Sequence, residues 1–281
     1  MVSKKLNCCF IDESIYDSLG IVVTAFVFSD SQFESQVTEA LQEVGINVPY
    51  EEYKSSARMD SNVHMRNARD KLLSLASQSS KIAVFFGPFS RPHLGRQTLQ
   101  AVQSVLLRNS IEPSSLSIYF DQEIFPSNEE AARLKAVFRF LEGSQIYASE
   151  DSRTRVRIQV ADAVAHSFGQ IIKASLSGKQ KMVDIGGPNT GYATGTEASL
   201  AWFLLMTLRH ALLTRPIVYN GEQYSPQCDP VVLDPVNDDI VDFAQHPTLL
   251  GWGVQVAPES DTSLRQAVES ELGRIWLGCI H

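Results

Sequence analysis

The sequence predicts an α/β fold in which a mixed β-sheet carries helices on both faces. The runs IVVTAFVF and KIAVFF have strand length and no polar alternation, which indicates strands buried on both faces. Segments with helical spacing of apolar residues separate the later strands, as in layered α/β domains. A chain of 281 residues with 44% hydrophobic content can build a sizeable core, which excludes an intrinsically disordered protein.

Local patterns justify each element in turn. LNCCFID and LGIVVTAFVFSD, joined by the polar, glycine-containing link 13–20, predict a β-hairpin. Apolar residues at helical spacing, ended by residues such as Gly45 and Gly143, predict the following helices. The predicted helices cover 31–44, 62–76, 97–107, 128–141 and 156–174, and the later strands cover 81–86, 115–121 and QIYAS. The resulting order is β-β-α-α-β-α-β-α-β-α.

The composition changes after residue 178, which predicts a core domain at 1–178 and an α-rich C-terminal extension at 179–281. The polar link SGKQK comes first, followed by the loop GGPNTGYATGT, which lacks the lysine and spacing of a phosphate-binding loop. Helices are predicted at about 198–213 and 262–277. Trp202, Trp252 and Trp276 indicate that the extension packs on the core.

The net charge of −8 and the pI of about 5.3 argue against a surface that attracts phosphate backbones everywhere. They do not exclude a nuclease, because metal-dependent phosphodiester chemistry needs clustered carboxylates. The N-terminus lacks a secretory apolar stretch, and the longest apolar run is shorter than the roughly 20 residues of a membrane span, so we expect a cytoplasmic protein without a membrane partner. The four cysteines show no metal-ligand spacing and are expected to be reduced thiols, with a zinc site at Cys279 and His281 as the alternative.

Acidic residues occupy positions where burial is expected. Asp12 and Glu13 follow CCFI, Asp121 follows SIYF, and Asp162 lies within the apolar helix IQVADAVAHSF. A buried carboxylate needs a partner, and magnesium or manganese prefers oxygen ligands. Asp12, Asp121 and Asp162 are therefore the predicted ligands of one or two Mg²⁺ or Mn²⁺ ions. Taken singly, each acid could instead be a turn residue or an arginine-paired side chain.

Alternation along a strand places Asp12 and Glu13 on opposite faces unless a bulge intervenes. Asp12 is thus the better first ligand. Gln159, Asp162 and His166 share one stripe of a helix, so they are expected to reach one site together.

Basic residues near these acids are candidate phosphate contacts. Lys54 in EEYKSS could neutralise a scissile phosphate or lower the pKa of the carboxylates, although a solvated loop lysine is an equal alternative. A local phosphate-binding strip is predicted from Arg153, Arg155 and Arg157 in RTRVR, together with Arg91 and Arg96.

These motifs also carry a resemblance. FIDES, EEYKSS, IYFDQE and IQVADAVAH, over roughly 7–175, resemble a bacterial domain-of-unknown-function family with a ribonuclease-H-like fold and a D-E-S signature. The resemblance implies that fold and a metal-dependent nuclease activity. Its matched positions are Asp12, Glu13, Lys54, Ser55, Ser56, Asp121, Gln159 and Asp162. The sequence departs from the pattern at KIAVFF, which has no carboxylate, and at His166, where a small residue is expected.

The leading interpretation is a divalent-metal-dependent nuclease acting on DNA or RNA, in which Glu13 is an additional ligand or a base that orients water. The predicted substrate contacts are Lys54, Ser55, Gln159, His166, Arg153, Arg155 and Arg157. The extension could bind a protein partner, and the oligomeric state stays open. One alternative is a weak or vestigial module of the same fold that binds protein or nucleoprotein in a defence or mobile-element system. The other is a hydrolase of a small nucleotide-like molecule.

Overall fold

The computed structural model describes residues 6–213 except 58, 60, 142, 188 and 189, the short strands 217–219, 222–224 and 248–250, and residues 253–272. Trp252, Trp276, Cys279 and His281 lie outside the described residues, so the zinc alternative at the C-terminus does too.

The elements alternate between strands and helices along the chain. They are β1 (Cys8–Tyr16), β2 (Ile21–Ser29), α1 (Phe33–Glu43), α2 (Val63–Ser79), β3 (Lys81–Pro88), α3 (Leu94–Arg108), β4 (Ser117–Asp121), α4 (Asn128–Lys135), β5 (Gln145–Glu150), α5 (Arg157–Ser177), β6 (Met182–Asp184), β7 (Glu197–Ser199), α6 (Leu200–Leu208), β8 (Ile217–Tyr219), β9 (Glu222–Tyr224), β10 (Thr248–Leu250), β11 (Val254–Val256) and α7 (Thr262–Leu272).

The central sheet has seven strands in the order β10-β11-β3-β2-β1-β4-β5. The hairpin strands β1 and β2 are antiparallel, β2 is antiparallel to β3, and β1, β4 and β5 run parallel to one another. Within the first five strands, only β2 therefore opposes the others. This mixed sheet with helices on both faces confirms the predicted α/β class; its ribonuclease-H-like character stays a prediction.

Helices cover both faces of the sheet. On one side, α1, α2, α5, α6 and α7 bury residues such as Leu41, Leu72 and Val164 against Val23 and Ala25 of β2. On the other side, α3 and α4 pack on a second core that includes Ile11 of β1. We refer to these two sides as the α5 face and the α3 face.

Helix α5 is buried over most of its length because it lies between the sheet and α2, α6 and α7. Its sequence is rich in Ala and Val, which lets it approach the sheet closely, and Gly178 in the left-handed conformation (φ 64°) ends it. None of the helices in the described part of the chain combines the length and apolarity that a membrane span requires.

Gly169 marks the closest approach of α5 to β1. A Cβ atom at this position would lie 2.2 Å from Cε2 of Tyr16. Gly169→Ala is therefore expected to lower the free energy of unfolding by about 1–3 kcal/mol, because the Tyr16 ring must shift within a packed core. Urea unfolding measures this effect. Gly187→Ala is the matched control, since its Cβ would meet nothing closer than 3.8 Å; equal loss in both variants would contradict the argument.

Three features differ from the sequence-based expectations. Helix α4 ends at Lys135 and not at 141, because Val137 and Phe138 donate to carbonyls three residues earlier and tighten the turn, which packs Phe138 on the α3-face core. The helix predicted at 198–213 is α6 followed by a 3₁₀ turn at Arg209–Ala211. The segment after 178 also contributes strands, of which β11 pairs with β3 in the central sheet. The division of the chain into domains at 178 stays a prediction.

Candidate active site

Asp12 and Glu13 leave β1 on opposite faces of the sheet. The register of β1 with β2 is regular and pairs Asp12 with Ala25 and Glu13 with Thr24. Because side chains alternate, Asp12 lies on the α5 face with Tyr16, and Glu13 lies on the α3 face with Ile11. The chain thus presents two adjacent carboxylates to the two sides of one strand.

Asp121 ends β4, the parallel neighbour of β1. The last register pair of these strands joins Ile11 to Phe120, which brings Asp12 and Asp121 side by side at the same edge of the sheet. Each of the two aspartates is only 9% exposed. Burial raises the pKa of Asp121, although it accepts the Glu123 N–H at 3.3 Å.

Asp162 reaches the same region from α5. Its Oδ2 accepts the Ser55 N–H at 2.9 Å, and its Oδ1 accepts the Ser55 hydroxyl. Burial raises the pKa of Asp162 to about 6, against the opposing effect of these hydrogen bonds and of the Lys54 charge. The helix therefore holds a carboxyl group that is partly protonated near neutral pH when no cation is bound.

The carboxyl groups act on one another electrostatically. Burial raises the pKa of Asp12 well above its usual range, and the charges of Asp162, Glu13 and Asp121 raise it further. Burial also raises the pKa of Glu13 to about 8, with added effects of Asp121 and Glu123. Both the low dielectric and the like charges disfavour ionisation. A cation placed among these groups would remove that penalty.

Glu13 is the least satisfied of these acids. Its side chain is 4% exposed, and its buried Oε2 has no hydrogen-bond partner among the described residues. Oε1 lies 3.9 Å from Nη1 of Arg91, and Nη2 of Arg91 lies 3.6 Å from Oε2 of Glu123. Arg91 is half exposed, so it stands at the mouth of the site with its donors turned toward the acids. The sequence suggested Arg91 only as part of a strip, because nothing in SRPHLGR shows that it faces Glu13.

The carboxylate oxygens of these acids are ligands that suit a hard divalent cation, but they do not form a complete set of protein ligands. Among the described residues, no three His, Cys, Asp or Glu side chains stand together closely enough to hold a metal by themselves. Asp12, Asp121 and Asp162 come from three separate elements, and Glu13 lies on the opposite face of β1. Mg²⁺ commonly binds through one or two carboxylates and keeps several waters. The adjacent Asp12 and Asp121 suit that kind of binding.

Gln159 connects α5 to the segment that carries Lys54. Its Oε1 accepts the Tyr53 N–H at 2.7 Å, its Nε2 donates to the Ser152 carbonyl at 2.8 Å, and it is 1% exposed. Both ends of the amide are therefore used inside the protein. The structure corrects the expectation of a substrate contact: Gln159 positions the segment.

Lys54 lies between two inward-facing residues of this segment, Tyr53 and Ser55. Its side chain is half exposed and pairs with Glu52 at 3.2 Å. Its charge acts on both Asp121 and Asp162. Lys54 therefore lies where it can compensate charge over the carboxylates, whereas Ser55 is occupied by Asp162 and acts as its support.

His166 lies one helical turn beyond Asp162, against Tyr16 and Gln170. Its ring stacks on the Tyr16 ring at 6.4 Å, and its Nε2 lies 3.3 Å from Nε2 of Gln170. Burial, and then the charges of Arg69 and Lys173, lower its pKa to about 4. The ring is therefore neutral at pH 7 and contacts Tyr16 and Gln170. It carries no charge that could bind a phosphate.

The arginines of RTRVR do not form a continuous strip. Arg153 pairs with Asp151 at 2.7 Å, Arg155 pairs with Glu150 at 2.9 Å, and Arg157 pairs with Glu34 at 2.8 Å. The side chain of Arg157 is only 7% exposed, because α5 begins there and lies on the sheet. Arg157 is therefore corrected from a substrate contact to a structural ion pair, while Arg153 and Arg155 stay predictions.

Ser55→Ala tests the support of Asp162. Removing a hydroxyl that donates to a carboxylate is expected to cost about 1.5–3 kcal/mol of unfolding free energy and to speed amide exchange across 52–55. Urea unfolding and hydrogen exchange measure both effects. Ser56→Ala, at an exposed neighbour, is the control; unchanged exchange in Ser55→Ala would show that the segment is held without this bond.

Comparisons with known proteins leave the family open. No family model matches the chain, and no curated protein matches it. A chain of the solved structure of the PCNA:RNase HII complex from Archaeoglobus fulgidus is similar to it, with 17% sequence identity and a TM-score of 0.36 over 67% of this chain and 82% of that one. The conclusions below rest on the residues of this chain.

Proposed function

We propose that this protein is a divalent-metal-dependent phosphodiester hydrolase that acts on nucleic acid. The observation that carries the proposal is the group formed by Asp12, Glu13, Asp121 and Asp162, whose pKa values are all raised by burial. In the part of the chain that the structure describes, the buried Oε2 of Glu13 also has no hydrogen-bond partner. Clustered acids that destabilise one another are typical of sites shaped for a function and not for stability.

Asp12, Asp121 and Asp162 would hold Mg²⁺ or Mn²⁺, with Asp162 using the lone pairs that Ser55 leaves. The ion would supply positive charge to a phosphoryl oxygen and lower the pKa of a water molecule. Glu13 would orient that water or accept its proton. Lys54 and Arg91, both half exposed beside the acids, would bind the phosphate and offset its charge.

Cleavage of labelled single-stranded and duplex DNA and RNA, with and without Mn²⁺, tests the proposal. We expect cleavage that depends on the cation and that Asp162→Asn removes. Arg265→Gln, far along the chain on α7, is the control and is expected to cleave normally. Unchanged cleavage by Asp162→Asn would contradict the assignment of the site.

A weak or vestigial module that binds protein or nucleoprotein is the second candidate. It is favoured by the Ser55 hydrogen bonds to both oxygens of Asp162 and by the lack of a three-ligand set among the described residues. Titration calorimetry separates the two functions. An active site should bind Mn²⁺ and lose that binding in Asp121→Asn, whereas a vestigial site should give no heat in either protein.

A further inference from the structure

Three aromatic rings form a column across the parallel strands on the α5 face. Phe10, Tyr119 and Tyr147 are register partners on β1, β4 and β5. The Phe10 and Tyr119 rings are 5.0 Å apart and nearly parallel (7°), and the Tyr119 and Tyr147 rings are 4.7 Å apart (8°). These separations match the distance between neighbouring strands. The column is thus built by the register of the sheet itself.

The inner end of the column is covered, whereas the outer end is open. The Arg157 guanidinium lies 4.2 Å from the centre of the Phe10 ring, so Phe10 is held between a cation and Tyr119. Tyr147 lies on β5, the edge strand, and is 38% exposed. In the described sheet no strand lies beyond it. One face of a ring that already belongs to a stack is therefore left for another flat group.

A cation lies beside the column. Arg155 lies 5.4 Å from the Tyr119 ring centre and pairs with Glu150 of β5 at 2.9 Å. A flat group on Tyr147 would thus have a positive charge close by.

The open ring is also close to the carboxylates. Tyr119 precedes Asp121 by two residues on β4, a distance of about 7 Å along a strand. Glu150 of β5 is the register partner of Asp121. A strand of nucleic acid that passes over Asp121 can therefore place a neighbouring base at Tyr147, because the two residues are close together.

We propose that Tyr147 stacks an unpaired base of the substrate strand, so that the site takes single-stranded nucleic acid or a single-stranded region. The rings of Phe10, Tyr119 and Tyr147 hold this base in line. A base inside a duplex has both faces covered by its neighbours and cannot stack on the column. The inference rests on the proposed action on nucleic acid and names the substrate class of the same site.

Fluorescence anisotropy with a short labelled oligonucleotide tests this inference. The measurement is made in EDTA on single-stranded DNA, single-stranded RNA and a blunt duplex, so that it does not depend on hydrolysis. Removing a stacked aromatic costs affinity by roughly 5- to 100-fold per base. We expect Tyr147→Ala to weaken single-strand binding by this factor, Tyr147→Phe to keep it, and the duplex to bind less well than either single strand.

Tyr192→Ala is the matched control, because Tyr192 is 41% exposed and lies away from β5 in the β6–β7 connection. Equal affinity of Tyr147→Ala and wild type, or equal weakening in Tyr192→Ala, overturns the inference, as does stronger binding of the duplex. Binding that depends on Tyr147, without any cleavage, would contradict only the proposed hydrolase function. Cleavage with the same kcat/KM in Tyr147→Ala as in wild type would contradict only the proposed stacking site.

Discussion

Asp12→Asn is expected to lower kcat/KM for Mn²⁺-dependent cleavage by about a thousandfold, the equivalent of the several kcal/mol that charge stabilisation by a metal contributes. The substitution keeps the size of the side chain but removes its charge. In metal-free buffer the same variant should unfold at a higher urea concentration than wild type, because a buried group that repels Asp162 and Asp121 has become neutral.

Activity and stability must therefore change in opposite directions. Cleavage assays and urea unfolding in EDTA measure the two quantities on the same preparation. Asp17→Asn, at an exposed position just after β1, should change neither. A variant that loses activity together with stability would instead show that Asp12 supports the fold.

The second large effect concerns pH. Burial raises the pKa of Glu13 from an ordinary value of 4.5 to about 8. Between these two pH values the native state holds a proton that the unfolded chain has released. The contribution of Glu13 to stability is therefore complete below pH 4.5 and is lost as the pH rises toward 8, on the order of 5 kcal/mol. Glu13→Gln should lack this loss and be the more stable protein at pH 8.

Urea unfolding of both proteins in EDTA at several pH values gives the difference directly. The two curves should meet below pH 4.5 and separate toward pH 8, and Mn²⁺ should bring the wild-type curve back toward the variant. Glu39→Gln, exposed on α1, is the control. Parallel curves across the range would mean that Glu13 is not held neutral in the native state.

Much of the fold follows from local patterns. The hairpin, KIAVFF and the long helix α5 are apolar over their whole length or at helical spacing, so their type and approximate bounds are predictable. The strands after 178 are only three residues long. Such strands have no period to detect and form because another strand offers a partner, as β3 does for β11 and β7 does for β6. The short strands therefore depend on pairing with residues far away in the sequence, which local patterns do not reveal.

The acids of the candidate site could be predicted from the sequence, but the residues that position them and their neighbours could not. Strand ends and an acid inside an apolar helix identified Asp12, Asp121 and Asp162. The role of Gln159 depends on a bond to Tyr53, 106 residues away, and the place of Arg91 depends on Glu13 across the sheet. The ring column needed the register of three strands. Contacts of this kind arise only when the chain is folded.

The position of β11 has a consequence for self-association. Strand β3 is buried almost throughout and hydrogen-bonds to β2 on one side and to β11 on the other. A chain cut at residue 178 would expose the backbone of an apolar strand eight residues long, which is a template for pairing with another copy. Strand β11 thus covers an edge of β3 through which two copies could otherwise pair.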